Sequence, residues 1–360
     1  MLFSALFARI YEVLVTTPLP VLIAVFAGSQ IAFFLSAFAL LNFIAHRPRK
    51  PFPSELVYTT IEDDGSRSNP KPLPFTLKDE ASLAFSLVIP AYNETERLPV
   101  MLAEAVDYLH RTFPNHDYEI LLVDDGSSDD TTGAALEWSK KYIAQGLLLP
   151  DQLRVVKLKQ NRGKGGAVTH GMRHIRGNLA LFADADGATK FEDLALLEAA
   201  IKQIGQDKAI AIGSRAHLVR TEQVVKRSPI RNALMYSFHF FLSVLGISHI
   251  RDTQCGFKLF TRPAVLSIFP YMHCEGWIFD IEIFILAEIM AIPVKECFVQ
   301  WHEVEGTKLS LIRDSIRMAW DLVVLRAGYT FGVYGVEAKR NVGILPTPRG
   351  ISKASLKKKK

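Results

Sequence analysis

Cysteine is scarce in this 360-residue chain, which has three cysteines, Cys255, Cys274 and Cys297. An odd number without metal-ligand spacing excludes a disulfide framework and a zinc module as the organising feature of the fold. The expected role of these thiols is packing in the core of a protein from a reducing compartment.

A strong excess of one charge is also missing, and nothing indicates a nucleic-acid partner. The formal net charge is +5 and the isoelectric point is about 9.0, but Lys357–Lys360 account for much of the excess. In residues 338–360, a basic tail, the terminal lysines resemble the dilysine retrieval signal of endoplasmic reticulum membrane proteins. A solvated tail, or a patch attracted to anionic lipid headgroups, is the alternative.

Charged side chains are absent from residues 13–45, and residues 21–44 are almost wholly apolar or small. About 20 apolar residues in a helix cross roughly 30 Å of hydrocarbon. A cleaved signal peptide, the alternative, usually has a shorter apolar core of about 7–15 residues. The sequence therefore predicts an N-terminal segment, residues 1–46, with a retained transmembrane helix over about 21–44.

The orientation of this helix follows from its flanks. Arg47, Arg49 and Lys50 follow it, whereas the other flank offers Arg9 against Glu12. The positive-inside rule then predicts a lumenal N-terminus and a cytosolic C-terminal side.

The remaining chain divides by composition. Residues 47–82 are rich in proline, serine and charge and are predicted to form a linker. Residues 83–308 form the predicted catalytic domain, and residues 309–337 an amphipathic segment that suits a membrane interface. Residues 232–250 also suit that surface, although ordinary core helices are the alternative for both segments.

Short apolar runs alternate with helical segments from residue 85 onward, which predicts an α/β fold with a mostly parallel, doubly wound sheet. In such sheets, ligands bind beyond the carboxyl ends of the strands. Polar clusters follow four of the runs, so they are expected to form one site. The predicted strands are 85–89, 119–123, 153–158, 179–183 and 209–213, and the helices are 98–111, 131–142, 166–175 and 191–204.

Asp184 and Asp186 follow a buried strand at alternate positions, where both carboxylates can face a divalent cation and a diphosphate. Hard oxygen ligands suit Mg²⁺ or Mn²⁺. A polar turn is the alternative for such a pair by itself. Asp125, after another strand, can accept a hydrogen bond from a nucleobase or ribose, or cap the next helix. The basic, glycine-rich loop 161–167 precedes a helix, so its N–H groups and Lys164 can attract phosphate.

Taken in order, four motifs resemble glycosyltransferase family 2, whose members have the A-type nucleotide-sugar fold. They are Val88–Glu94, Val123–Ser128, Asn161–Gly165 and Asp184–Gly187. Five further motifs resemble the dolichyl-phosphate sugar synthases, and above all their glucose-transferring members. These are Gly213–Arg215, Arg227–Asn232, Asp252–Lys258, Gly276–Asp280 and Glu305–Leu309.

The resemblance implies an inverting, metal-dependent transfer of glucose from UDP-glucose to dolichyl phosphate in the bilayer. It places Asp184 and Asp186 at the ribose, the diphosphate and the metal. Asp186, Arg215, Arg231 and Asp280 are the residues expected to carry catalysis. The uracil and ribose would be held by Pro90, Ala91, Tyr92, Glu94 and Asp125. The acceptor phosphate would be bound by Arg215 and Arg231, with Arg227 and Lys308 as further candidates.

One position departs from the family pattern, and another has an open role. The mannose-transferring synthases, as the resemblance suggests, have a further glutamine ligand two places after the second aspartate, where this chain has Ala188. Asp280 stands where other members keep a base, and we interpret it as positioning the sugar or basic side chains. A helix cap or buried ion-pair partner is its alternative, and a surface salt bridge is the alternative for the arginines.

Other functions stay open at this point. A dolichyl-phosphate mannose synthase using GDP-mannose is the second candidate, and a catalytically silent membrane scaffold with the same fold is the third. A processive polysaccharide synthase is disfavoured because no bundle of membrane helices accompanies the domain. The sequence is also compatible with a homo-oligomer.

Overall fold

The structure is a computed structural model, and it describes residues 11, 15–73, 77, 79–217, 250–304 and 311–335. Arg227, Arg231 and Lys308 lie outside the described residues, as do nearly all of the segment 232–250 and the basic tail from residue 338. The described chain forms two compact units, one of which contains the N-terminal helix and residues 323–334.

Helix α1, Leu19–Ile44, confirms the predicted apolar helix. None of its side chains is buried in the protein, and its mean hydropathy is 2.1. Among the described residues it is the one helix long and apolar enough to span a membrane. At its C-terminal end the backbone N–H of His46 donates a hydrogen bond to the Tyr334 hydroxyl at 2.7 Å.

The second unit is built on a seven-stranded sheet that confirms the predicted doubly wound, mostly parallel architecture. The strands are β3 Leu83–Ala91, β4 Tyr118–Asp124, β5 Leu153–Lys157, β6 Gly177–Ala183, β7 Ile210–Ser214, β8 Phe257–Thr261 and β9 Val294–Phe298. Their order in the sheet is β5-β4-β3-β6-β8-β7-β9, and β8 alone runs antiparallel to its neighbours.

Helices cover both faces of the sheet. The strands β3 and β4 are therefore buried on both sides, and their sequences are continuous apolar runs. The bounds of the predicted helices agree with the structure to within a few residues. The helices are α2 Leu98–Thr112, α3 Thr131–Ala144, α4 Lys164–Met172, α5 Leu194–Ile204, α6 Arg262–Ile268, α7 Phe279–Ile289 and α8 Leu311–Thr330.

The chain reverses its direction of travel across the sheet at β3. Strands β4 and β5 are added on one side of β3, and β6 pairs with its other side. The paired register of Ala91 with Asp124, and of Asp124 with Lys157, brings the carboxyl ends of these strands to one edge. A crevice beyond such a switch point is where doubly wound sheets bind ligands.

The segment predicted as a linker is more ordered than its proline-rich sequence suggests. It contains a short helix at Pro53–Glu55 and two paired strands, β1 Val57–Tyr58 and β2 Lys71–Pro72. The side chains of Glu55, Tyr58 and Ile61 are buried. Prolines break any helical or strand period here, so the sequence gives no sign that this segment packs against the sheet.

The sequence pattern also did not reveal β8. This strand lies between β6 and β7, pairing Phe182 with Lys258 and Ile212 with Lys258 on its two sides. It follows a long stretch of chain after β7, and an insertion of that length breaks the βα alternation on which the strand prediction rested.

A buried polar network supports the amino ends of the parallel strands, opposite the site edge. The Glu119 carboxylate accepts hydrogen bonds from Ser86 Oγ at 2.6 Å, the Arg176 backbone N–H at 2.6 Å and Arg176 Nε at 2.7 Å. The Arg154 guanidinium lies 3.9 Å from the same carboxylate, and both side chains are almost fully buried.

Replacing Glu119 with alanine should destabilise the fold, because it leaves Ser86 and Arg176 without the buried carboxylate that accepts their hydrogen bonds. We expect a loss of about 3–5 kcal/mol in the free energy of unfolding, measured by denaturant or thermal unfolding in detergent. The matched control is Glu137→Ala, which breaks an exposed pair with Arg67 and should cost about 0–1 kcal/mol. Equal losses in the two variants would contradict the prediction.

Candidate active site

Asp125 follows β4 and is held between two backbone N–H groups. Its Oδ1 accepts from the Arg162 N–H at 2.7 Å, and its Oδ2 accepts from the Gly163 N–H at 2.9 Å. Its own N–H donates to the Ala91 carbonyl at the end of β3. The glycine-rich loop after β5 is thereby fastened to the ends of β3 and β4. The helix cap after β4 is Asp130, so the capping alternative for Asp125 is not what the structure has.

Burial disfavours the ionised form of Asp125 and raises the pKa of its carboxyl to about 7, although the N–H groups of Arg162 and Gly163 favour the carboxylate. The group is therefore poised to change its charge near neutral pH. An ionised Asp125 can accept a further hydrogen bond from a ligand N–H or O–H, whereas the neutral acid has lost part of that capacity.

The other predicted donor-binding residues surround the end of β3. Pro90 and Ala91 are the last two residues of the strand and are buried, and Tyr92 is exposed to about 38%. Glu94 is largely buried, and its carboxylate forms a two-pronged ion pair with Arg97 at 2.6 and 2.8 Å. A ligand hydroxyl would therefore meet a Glu94 that already has a cationic partner.

Asp184 and Asp186 lie just beyond β6, and Lys164 faces them from the first position of α4. Lys164 Nζ lies 2.6 Å from Asp184 Oδ1. Although burial lowers the pKa of Lys164, attraction to Asp184, Asp280 and Asp186 raises it overall. Burial, followed by the negative charge of Asp184, raises the pKa of Asp186. The cluster holds more negative than positive charge, so an added cation would stabilise it.

A glycine makes room for the first of these carboxylates. The Asp184 N–H donates to the Gly256 carbonyl at 3.0 Å, and a Cβ atom at Gly256 would lie 2.1 Å from Asp184 Oδ2. Any side chain here would force the Asp184 carboxylate to move. Gly256 therefore sets the position of Asp184, for a reason that needs the fold to be seen.

The donor set fits a hard divalent cation. Asp184 and Asp186 offer carboxylate oxygens, and no cluster of three or more acidic, histidine or cysteine side chains suited to a metal occurs in the described part of the chain. Mg²⁺ is commonly held by one or two carboxylates, with phosphate oxygens and water completing its shell. These two residues could hold such an ion jointly with a bound diphosphate.

Asp280 is buried in the first turn of α7 and is paired with Lys258 on β8. Lys258 Nζ lies 2.7 Å from Asp280 Oδ1, and both side chains are almost fully buried. Burial raises the pKa of Asp280, while Lys258 and Lys164 favour its charged form. Ile278 occupies the cap position of α7, so Asp280 stands as an ion-pair partner rather than a helix cap.

Arg215 is the first residue after β7, and the negative charge of Asp184 is among the influences that raise its pKa. Its Nε and Nη2 donate to the two oxygens of Asp252 at 2.7 and 3.0 Å, and its Cζ lies 5.5 Å from the centre of the Trp301 ring. Although burial lowers the pKa of Arg215, the hydrogen bonds and charge of Asp252 raise it well above its usual value. Of the four predicted acceptor-binding residues, Arg215 is the one within the described residues.

Several polar residues of the site were not singled out from the sequence. Arg97 pairs with Glu94, Arg162 pairs with Glu275 through Nε at 2.8 Å, and Lys258 pairs with Asp280. Arg162 and Lys258 lie inside recognised motifs and Arg97 lies three residues after one, but a charged residue in or beside a motif is usually solvated. Which of them turns inward depends on the partner that the fold supplies.

The affinity for UDP-glucose, the donor that the resemblance implies, should depend on pH through Asp125. Binding that uses the ionised carboxylate requires the free site to lose its proton below pH 7, at a cost of up to tenfold in affinity, about 1.4 kcal/mol, per pH unit. Affinity should therefore rise with pH to about 7 and then level off. Calorimetric titration across this range measures it.

UDP-glucose itself does not titrate in that interval, and Asp125→Asn provides the control. The variant should bind more weakly at pH 8 and show a flat profile. A wild-type profile that is equally flat would contradict the assignment of Asp125 to the nucleotide.

Comparison with known proteins identifies the family. The family model described as "Glycosyl transferase family 2" matches residues 86–269. The dolichyl-phosphate β-glucosyltransferase of Saccharomyces cerevisiae is 48% identical over 86% of this chain and 94% of its own length. That of Homo sapiens is 43% identical over 73% of this chain and 81% of its own.

Among solved structures, a glucosyl-3-phosphoglycerate synthase from Mycobacterium tuberculosis is similar over 69% of this chain and 79% of that one. The sequence identity is 18% and the TM-score is 0.47. On the family model and the extent of the sequence identity, this chain belongs to glycosyltransferase family 2, among the dolichyl-phosphate β-glucosyltransferases.

Proposed function

We propose that the protein transfers glucose from UDP-glucose to dolichyl phosphate with inversion, forming dolichyl β-D-glucosyl phosphate as a lipid-linked sugar donor. The observation that carries the proposal is the convergence of Asp125, Lys164, Asp184 and Asp186 at the switch point of the sheet. The choice of sugar and acceptor rests on relatives whose names state glucosyl transfer to dolichyl phosphate.

The donor side is built to receive a nucleotide diphosphate. Asp125 would accept a hydrogen bond from the uracil, with Pro90, Ala91, Tyr92 and Glu94 lining the nucleoside. Lys164, at the N-terminus of α4, would move from Asp184 towards the diphosphate as that anion arrives. Mg²⁺ or Mn²⁺ held by Asp184 and Asp186 would neutralise charge on the departing nucleotide.

The acceptor does not need a strong base. Its phosphate monoester has a second pKa of about 6, so near neutral pH it is already largely the nucleophilic dianion. Asp280, enclosed with Lys258, is placed to support the charge arrangement behind the metal motif rather than to remove a proton. The catalytic task is to hold two anions in line, so that attack on the anomeric carbon inverts it.

Arginines would provide that hold on the acceptor. Arg215 presents its guanidinium near Asp184, oriented by the two-pronged pair with Asp252. The family resemblance adds Arg231, Arg227 and Lys308, which would bind the same phosphate. Because Asp252 uses Nε and Nη2, the remaining nitrogen Nη1 is the one that we assign to the phosphate.

The membrane arrangement completes the proposal. Helix α1 would anchor the protein in the endoplasmic reticulum membrane, with the catalytic unit in the cytosol. Helix α8 exposes Ile316, Trp320 and Val323 at helical spacing, as an interfacial helix would. The bond between His46 and Tyr334 keeps the end of this region beside the end of the anchor, where the polyprenyl tail of the acceptor lies in the lipid.

Transfer itself is tested with radiolabelled UDP-glucose and GDP-mannose offered separately to the full-length protein with dolichyl phosphate and Mg²⁺ in detergent. We expect lipid-linked product from UDP-glucose, lost on chelation of the metal. Asp186→Asn should lower the rate by about 100-fold or more, because it removes a metal ligand from the leaving-group side.

Asp207→Asn is the matched control, since it makes the same chemical change at an exposed position and should keep full activity. Product from GDP-mannose alone would replace the donor assignment with the mannose synthase. A protein that forms no product with either donor while keeping its cellular role would support the scaffold.

The acceptor assignment is tested by Arg215→Lys. Lysine keeps the charge but loses the planar fork that Asp252 orients, so the KM for dolichyl phosphate should rise by about tenfold with little change in the KM for UDP-glucose. Steady-state kinetics with each substrate varied in turn measures both. Arg251→Lys, at a nearby exposed position, is the control. A rise in the donor KM alone would assign Arg215 to the nucleotide sugar instead.

A further inference from the structure

The residues that follow the membrane anchor fold into a compact element against the donor loop. Residues 49–55, here called the juxtamembrane hook, end in the short helix Pro53–Glu55. They contact residues 159–162 of the loop between β5 and α4 through both side chains and backbone. The hook and the donor loop belong to the same compact unit.

Glu55 is the centre of the hook, and its side chain is completely buried. Its carboxylate accepts from both terminal nitrogens of Arg49, at 2.5 and 2.7 Å, and from the Phe52 N–H at 2.9 Å. It also accepts from the Lys159 N–H at 2.9 Å, across 104 residues of sequence. The backbone carbonyl of Glu55 meets His170 Nε2 of helix α4 at 2.8 Å.

The carboxylate of Glu55 is ionised near neutral pH. Burial by itself raises the pKa of Glu55, but the bonds from Arg49, Phe52 and Lys159 outweigh it and lower the pKa to about 2. A fully buried charge held by four hydrogen bonds has one stable arrangement, because each lost bond leaves a desolvated charge. The hook is therefore a rigid element rather than a flexible tether.

Two further hydrogen bonds join the hook to the donor loop. Arg49 Nη2 donates to the Gln160 carbonyl at 3.3 Å, and Arg162 Nη2 donates to the Arg49 carbonyl at 3.1 Å. Phe52 lies beneath both cations, with its ring centre 4.6 Å from Arg49 Cζ and 4.9 Å from Lys159 Nζ. The hook thus forms hydrogen bonds with the loop on both sides of Asn161.

The donor loop, which the hook contacts, is also the loop that binds the Asp125 carboxylate. The backbone N–H groups of Arg162 and Gly163 are the partners of the Asp125 carboxylate, and Asn161 Nδ2 donates to the Asp125 carbonyl at 3.1 Å. A shift of residues 160–163 would move these donors directly. From Glu55 to Asp125 every step is a hydrogen bond between adjacent groups.

We propose that the juxtamembrane hook positions the donor-binding loop, with Glu55 as the positioning residue through which the segment next to the membrane anchor sets donor affinity. The inference rests on the proposed function, in that a nucleotide sugar is taken to bind at Asp125. Glu55 does not touch that ligand. It acts through Lys159, Arg49 and Arg162.

The test compares Glu55→Gln with Glu62→Gln in the full-length protein. Glu62 belongs to the same segment and pairs with Lys71 on the surface, so the control makes the same chemical change away from the loop. We expect Glu55→Gln to raise the Kd for UDP-glucose by about tenfold, since small displacements of positioning groups cost up to about 100-fold. Calorimetry in detergent with Mg²⁺ measures it.

Different effects on the KM values of the two substrates distinguish a positioning role of Glu55 from a general loss of structure. The KM for UDP-glucose should follow the Kd, while the KM for dolichyl phosphate stays near that of Glu62→Gln, both measured at a temperature below the unfolding transition of each variant. A folded Glu55→Gln protein with the control's donor affinity would overturn the proposal. So would equal rises in both KM values.

Arg49→Gln keeps the proposal testable should Glu55→Gln fail to fold. It retains the backbone bonds to Glu55 but loses the contact with Gln160, and it should raise the donor Kd several-fold. The double variant should be no weaker than Glu55→Gln, because both act through one path. An unchanged Kd in Arg49→Gln would overturn the proposal.

The same titration distinguishes failure of the proposed function. A wild-type protein that binds GDP-mannose in place of UDP-glucose would contradict the donor assignment. The comparison of Glu55→Gln with Glu62→Gln would then be made with GDP-mannose, and its outcome would support or overturn the role of the hook separately.

Discussion

Several carboxylates have to lie close together at one edge of the sheet although they repel each other, and the rest of the site follows from how this is achieved. Five of these carboxylates have their own cation or N–H partners, which offset the cost of burying the charge. The pairs are Asp125 with the Arg162 and Gly163 N–H groups, Asp184 with Lys164, Asp280 with Lys258, Asp252 with Arg215, and Glu94 with Arg97.

This arrangement prepares the site for substrates that are themselves anions. Lys164 and Arg215 already hold positive charge beside the metal motif, each against a carboxylate partner. Two phosphate-containing substrates can then meet without large rearrangement, because the charges that receive them are oriented before they arrive. The buried Lys258 and Asp280 extend the same balance behind the site, where the low dielectric strengthens it.

The residues that follow helix α1 pack against the donor loop. The hook that follows the anchor is built around one buried carboxylate, and it contacts the loop that fastens Asp125. On the proposal above, these residues thereby affect donor binding.

The sequence by itself determined the apolar helix, the doubly wound fold, the location of the site and its family, because each depends on local periodicity or on an ordered series of motifs. It did not reveal the packed hook, the antiparallel strand β8, the space that Gly256 leaves for Asp184 or the partners of Glu55, Lys258 and Arg162. Glu55 and Lys159 are 104 residues apart, and Arg162 and Glu275 are 113 apart. Neither pattern nor propensity encodes which distant charges meet, because that pairing is decided by desolvation once the sheet and its loops have brought them together.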